Sequence, residues 1–144
     1  MLKGIDPLLN ADILYTLASM GHGDSIVLCD ANFPAATVAA KTNCTKPIHL
    51  NVDLLSALQA VLSVFPIDTY DLDNPPAKAM QVVDAPDELP EVMAEVMPLI
   101  VTKGTSIAYI ERSAFYEVAG EAFAVIRTNE TRPYGNLILR KGVV

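Results

Sequence analysis

The sequence predicts an α/β fold, a single domain across residues 1–144 with a central β-sheet flanked by helices on both faces. Three observations predict it. Short apolar runs alternate with segments of helical period along the whole chain, which is the order of strands joined by helical crossovers. One run, Ser25 to Cys29, is bounded by Asp24 and Asp30 and reads as a strand buried on both faces. Finally, 144 residues at 51% hydrophobic composition supply one core.

The elements follow in order. Asn10 to Gly21 is helical: Asn10 caps, Asp12 favours the positive end, and Ile13, Leu14, Leu17 and Ala18 recur at three and four. Gly21 ends this helix as a left-handed residue. The strand Ser25 to Cys29 then delivers Asp30 to its carboxyl end, the edge where open α/β sheets collect ligands. Pro47 to Leu50 forms a short strand. Asn51 caps a second helix that shows Leu54, Leu55, Leu58, Val61 and Leu62 on one face and stops at Pro66. Asp68 to Pro76, acidic and proline-containing, is a loop, and Lys78 to Val83 returns as a strand. A third helix runs from near Asp87 to Met97, with Pro90 in its first turn and Pro98 stopping it. Ser106 to Ile110 is a strand, Arg112 to Ala119 a helix ended by Gly120, and Ala122 to Arg127 and Asn136 to Arg140 are the last strands.

Composition narrows the function. Seventeen acidic against ten basic residues give a net charge of -7, which offers no counter-charge to nucleic acid or an anionic membrane surface. Mean hydropathy is +0.33, yet no apolar run reaches the roughly 18 residues of a membrane span. The surplus suits buried strands and subunit interfaces. Asp6, Pro7, Asn10 and Asp12 interrupt the N-terminal region, which carries no export signal, so the expected compartment is the cytoplasm. Cys29 and Cys44 lack metal or disulfide-scaffold spacing and read as structural thiols of a reducing compartment. The Asn-x-Thr triplets at Asn43 and Asn129 are then chance.

No dinucleotide fingerprint, P-loop, nucleophile elbow or metal cluster occurs, so no cofactor or metal is expected. Of two histidines, His22 lies between Gly21 and Gly23 at a helix-to-strand turn open to a small ligand. His49, within an apolar run, reads as a satisfied structural histidine. Asp24 serves as a local cap or bridge. Asp30, with Asn32 beyond it, is the ligand-facing carboxylate or, alternatively, a turn-former. The two aspartates lie about 20 Å apart along a regular strand, too far for a carboxylate dyad. Arg112 opens the helix that carries Phe115, Tyr116 and Glu117, and arginine in a first turn opposes the helix dipole. It either forks to ligand hydroxyls or is a solvated surface residue. Tyr134, Gly135 and Asn136 offer a stacking face, a close-approaching backbone and an amide, a set for a neutral polyhydroxylated ligand that a hairpin turn would also use.

Three motifs in order, Gly21-His22-Gly23-Asp24, Arg112-Ser113-Ala114-Phe115-Tyr116-Glu117 and Tyr134-Gly135-Asn136, resemble the D-ribose pyranase and L-fucose mutarotase family over nearly the whole chain. They are similar to the fucose branch; the ribose branch usually carries Gly-His-Thr-Asp and Tyr-Ala-Asn. The resemblance implies His22 as proton donor and Asp30, Arg112, Tyr134, Gly135 and Asn136 as sugar contacts. It also implies a homo-oligomeric, decameric ring with sites near subunit contacts. One departure concerns specificity: fucose members often read Asp-Ala-His-Phe-Pro-Ala where this chain reads Asp30-Ala31-Asn32-Phe33-Pro34-Ala35.

The implied activity is interconversion of the α and β anomers of a free monosaccharide, L-fucose or a relative, with His22 as acid and Tyr116 or Asp30 completing the relay. A non-catalytic sugar-binding accessory protein and a pure assembly protein are the alternatives. The latter predicts no saturable sugar binding.

Overall fold

A computed structural model describes residues 1–71 and 73–144. Of the Asp68 to Pro76 loop, position 72 lies outside the described residues. Among the described residues eleven elements follow one another: α1 (Ala11–Ser19), β1 (Ser25–Cys29), α2 (Ala35–Ala39), β2 (Ile48–Leu50), α3 (Leu54–Leu62), β3 (Ala77–Met80), α4 (Glu91–Val101), β4 (Ile107–Ile110), α5 (Arg112–Gly120), β5 (Ala124–Thr128) and β6 (Leu137–Arg140). The strands form one sheet in the order β2-β5-β1-β6-β3-β4. β6 runs antiparallel to both its neighbours, β1 and β3, while β1 with β5, β2 with β5 and β3 with β4 pair in parallel. Five strands therefore point one way, and the start of β6 lies at their carboxyl edge.

Alternation along the strands sorts the core into two layers. Ile26, Leu28, Ala124, Ile126, Leu137 and Leu139 pack under α1, α3 and α4. The intervening Val27, Cys29, Val125 and Ile138 pack under α2 and α5 with Phe33 and Phe115. This is the predicted α/β class with both faces covered, and it explains why β1 is apolar at every position after Ser25.

Several local expectations change. Helix α2, five residues after Pro34, has no counterpart in the sequence reading; its Ala35, Val38 and Ala39 are buried against β5. The cap of α3 is Asp53, whose side chain accepts from the Ser56 amide, and not Asn51, because the chain bends at Val52, whose carbonyl still accepts from the Asn129 amide, before the helix begins. α1 ends through an extended Met20, and Gly23, not Gly21, takes the left-handed conformation at φ +89°. Pro98 sits inside α4 and does not stop it. Pro98 and Ala94, whose carbonyl loses its helical partner, both lie on the exposed face of α4, while Val96 and Ile100 are buried and keep the helix docked. β3 also stops at Met80, three residues short of Val83, and Gln81 to Val83 form the loop above it.

Candidate functional site

The predicted residues occupy two opposite edges of the sheet. At the amino edge, the α1–β1 turn presents His22, exposed, between Gly21 and Gly23. Asp24 is a local brace, as expected: its carboxylate accepts from the Gly21 amide at 2.7 Å. The Gly23 amide donates to the Lys141 carbonyl at 2.9 Å, tying the turn to the end of β6.

Facing His22 is a residue of the predicted 68–76 loop. Asp68 Oδ2 lies 3.6 Å from His22 Nε2. Asp68 is buried; its other oxygen accepts from the Tyr70 amide at 3.0 Å, and Arg140 Nε donates to Oδ2 at 2.8 Å. Those contacts, the Tyr70 amide first, hold its carboxyl below the ordinary aspartate range against the cost of burial. Asp68 is thus an ionised carboxylate, fixed by two donors, against an exposed imidazole, the arrangement that orients a histidine for proton transfer. Nothing local in the sequence marks it: Asp68 and Arg140 meet because the 66–68 segment lies against the end of β6, where the Gly142 amide donates to the Pro66 carbonyl at 2.8 Å. A Cβ at position 142 would stand 2.7 Å from the Ile67 carbonyl oxygen, so only glycine allows this approach. His22 also rims a largely apolar cavity of about 540 Å³ between α1 and the terminal Val143 and Val144, within the size range of small-molecule sites.

The carboxyl edge holds the remaining candidates. Asp30, buried at the end of β1, accepts from the Asn32 and Phe33 amides through Oδ1, both at 2.9 Å, the turn-forming alternative of the sequence reading. Its Oδ2 accepts from the Gly135 amide at 3.2 Å and from Asn136 Nδ2 at 3.1 Å, while Asn136 Oδ1 accepts from the Asp30 amide at 3.1 Å. Burial raises the Asp30 pKa, and these four donors oppose the rise. Asp30 and Asn136 therefore latch two turns together. Within the second of those turns Tyr134 adopts φ +63°, and its hydroxyl accepts from the Val83 amide at 3.1 Å. Tyr116 is half-buried and tilts against Phe33 with ring centroids 5.5 Å apart. Arg112 is exposed at the start of α5, beside the 81–86 loop; Glu111 supplies the anionic cap that its helix needs, accepting from the Ser113 amide at 2.9 Å. Arg112 is thus free of any capping duty.

His49 corrects the expectation of a satisfied core histidine: it is exposed on the edge strand β2, beside Arg127. Cys29 is a buried thiol whose pKa burial pushes up, in keeping with a structural role. Among the described residues no cluster of His, Cys, Asp and Glu has metal-binding geometry, and no helix is long and apolar enough to cross a membrane.

β1, with roughly 13 Å from its first to its last Cα, stands between the His22–Asp68 pair at its amino end and the Asp30, Arg112, Tyr116 and Tyr134 group at its carboxyl end. The structure unites the carboxyl-edge candidates with one another and leaves His22 apart.

Comparison with known proteins agrees with this architecture. The chain matches the RbsD / FucU transport protein family over residues 3–144. It is 44% identical to the fucose mutarotase of Homo sapiens, covering 99% of this chain and 94% of that protein. It is 40% identical to the L-fucose mutarotase of Histophilus somni, covering 99% and 97%. Among solved structures, the fucose mutarotase of Streptococcus pneumoniae in complex with L-fucose superimposes with a TM-score of 0.87 at 39% identity, covering 99% of both chains.

Proposed function

This chain belongs to the RbsD / FucU transport protein family, and from that membership we propose that it is a carbohydrate isomerase, a mutarotase that interconverts the α and β anomers of L-fucose or a closely related monosaccharide. The observation that carries the chemistry is the exposed His22 imidazole beside the buried, ionised Asp68 at 3.6 Å.

Mutarotation needs one proton placed and one removed. As His22 gives its proton to the ring oxygen, a base takes the proton of the anomeric hydroxyl, the bond between C1 and the ring oxygen breaks, and an aldehyde forms. Rotation about C1–C2 presents the other carbonyl face, and the reverse transfers close the ring. Asp68 opposes the charge that His22 carries in its acid form. Tyr116 is the second proton-transfer group, Arg112 holds hydroxyls, Tyr134 stacks on the apolar sugar face, and Asp30 sets Gly135 and Asn136. A positioned acid or base lowers the barrier by about 3 to 5 kcal/mol.

Because the two halves sit on opposite sheet edges, the working site forms between copies, the amino edge of one on the carboxyl edge of the next. Such a contact is heterologous and, where the rotation between copies closes, repeats into a ring. The apolar cavity beside His22 and the exposed Leu2, Tyr15 and Val144 supply surface for it. We assign the assembly as a decamer of the 15.5 kDa chain and place it in the cytoplasm, a reading supported by two unbridged cysteines.

Two variants test both halves. His22→Ala and Arg112→Ala each lose anomer exchange, read as magnetisation transfer between the two anomeric proton signals. Co-refolded at equal ratio, they regain about one quarter of the sites by random assortment if the site is shared between copies. No recovery places the site within one chain, and unchanged exchange in His22→Ala removes His22 from the reaction. The family's description as transport proteins favours a second reading, a sugar-binding accessory protein. That protein would shift sugar resonances on titration and leave exchange at the buffer rate.

A further inference from the structure

Behind the carboxyl edge lies an ion pair that the mechanism does not use. Glu130, just past β5, is buried. Its Oε1 accepts from the Arg132 amide at 3.0 Å and from Arg132 Nε at 2.9 Å, and its Oε2 accepts from Arg132 Nη2 at 2.9 Å. Oε2 also receives the first amide of α3, Leu54, at 3.4 Å. The Glu130 backbone carbonyl accepts from the Ala31 amide at 2.8 Å, next to Asp30. Its Cγ would stand 3.0 Å from a Cβ at position 135, so the side chain is also the wall against which Gly135 rests. One residue thereby touches the Asp30 turn, the 132–136 turn and the start of α3.

Arg132 divides its guanidinium between this inner carboxylate and an outer pair on α4, Glu95 at 2.6 Å and Glu91 at 3.5 Å. The inner partner is buried and the outer ones are not. Stability alone is a poor reason to bury a charge, since a desolvated pair gains little over apolar packing. Nor does α3 need Glu130 for its cap, because Asp53 already accepts from Ser56. The turn between Arg132 and Asn136, in contrast, does need a fixed support, because Tyr134 holds a left-handed backbone that non-glycine residues disfavour.

We propose that Glu130, clamped by Arg132, is a positioning residue for sugar recognition: it holds the Asp30 turn and the Tyr134–Asn136 turn in mutual register, so that the carboxyl edge meets the sugar preformed. This rests on the reading of that edge as the sugar-holding half. A preformed surface lowers the ordering cost of binding, so its loss falls on affinity more than on the proton transfers centred on His22.

The test compares Glu130→Gln with Glu95→Gln in the full assembled chain. Glu130→Gln keeps the shape of the side chain but surrenders Arg132 to α4. Expected is a KM for L-fucose raised about tenfold, with kcat within about threefold of the parent. Amide hydrogen exchange at Ala31 and Gly135 should be faster by about tenfold or more. Glu95→Gln lowers Tm at most and changes neither readout. Parent-like KM and Gly135 protection in Glu130→Gln overturn the proposal, as does an equal rise in KM in Glu95→Gln. Should Glu130→Gln fail to assemble, Arg132→Lys carries the same two readouts, because it keeps the charge and loses the fork. Tyr134→Ala and Arg112→Ala separate the premises: a parent-like KM in both removes the carboxyl edge from sugar binding, while the Gly135 exchange arm still reports on Glu130.

Discussion

Gly142→Ala tests the link between chain geometry and the His22–Asp68 pair. The added Cβ would lie 2.7 Å from the Ile67 carbonyl oxygen, 2.8 Å from Asp68 Cα and 2.9 Å from the Asp68 amide nitrogen. All three are backbone atoms, so no side chain can swing aside. Ordinary contact begins near roughly 3.5 Å, which requires the 66–68 segment to retreat by about 0.8 Å. That retreat strains two hydrogen bonds, Gly142 N–H to the Pro66 carbonyl at 2.8 Å and Asp68 N–H to the Arg140 carbonyl at 3.1 Å. Overpacking of this kind costs about 1 to 3 kcal/mol. A mid-range cost lowers Tm by roughly 6 to 8 °C for a chain of this size. Asp68 moves with the segment, and a displacement approaching 1 Å at a proton-transfer pair costs up to about 100-fold in rate. Thermal unfolding and magnetisation transfer between the anomeric signals of L-fucose measure the two effects. Gly21→Ala is the control beside the same histidine, because its Cβ would meet only Asp24 Oδ2, at an ordinary 3.7 Å. A Gly142→Ala protein with the parent's Tm and exchange rate, or a Gly21→Ala protein equally impaired, would show that the close approach at Gly142 does not set the His22–Asp68 pair.

Other expectations concern acid stability, α4 and the thiols. The Arg132 side chain holds Glu130 down from an ordinary 4.5 to about 2, so its contribution is complete above 4.5 and disappears as pH falls through about 2. Asp68 acts in the same sense, whereas Asp30, raised by burial, partly offsets both. Denaturant unfolding between pH 5 and 2 should therefore show a shallower acid loss in Glu130→Gln than in the parent; equal slopes would contradict it. Pro98→Ala restores a donor to the Ala94 carbonyl in α4 and should raise Tm, by about 1 kcal/mol or more in stability terms; an unchanged or lower Tm would show that the proline fits its helix without cost. Timed alkylation followed by mass spectrometry should label Cys44 well before Cys29, because Cys29 is buried and its thiol is pushed up by burial; the reverse order would contradict the packing of β1.

What was legible in the sequence depended on how local its physical cause is. The all-apolar β1 required cover on both faces, and the two helix layers provide it. Asn10 announced α1 because a cap acts over three residues, and its side chain does accept from the Ile13 amide. Pro98 misled because a helix can carry a proline at a cost where the orphaned carbonyl lies on an exposed face and the opposite face is docked, and both are tertiary properties. α2 escaped notice because five residues carry too little period to be read. His49 misled for a similar reason: its apolar neighbours suggested burial, but β2 turned out to be an edge strand.

The layered α/β class, the histidine between two glycines at a helix-to-strand turn and the three motifs that resemble the family were readable along the chain, since periodicity, turn chemistry and residue type are encoded within short stretches. Which of these residues meet was set by the folded arrangement. Strand register brought Asp68 and Arg140, far apart in the chain, to His22, and joined Asp30 to Asn136 across two turns. It also set the His22 pair and the Tyr134 group on opposite edges of the sheet, because an extended strand holds its two ends apart.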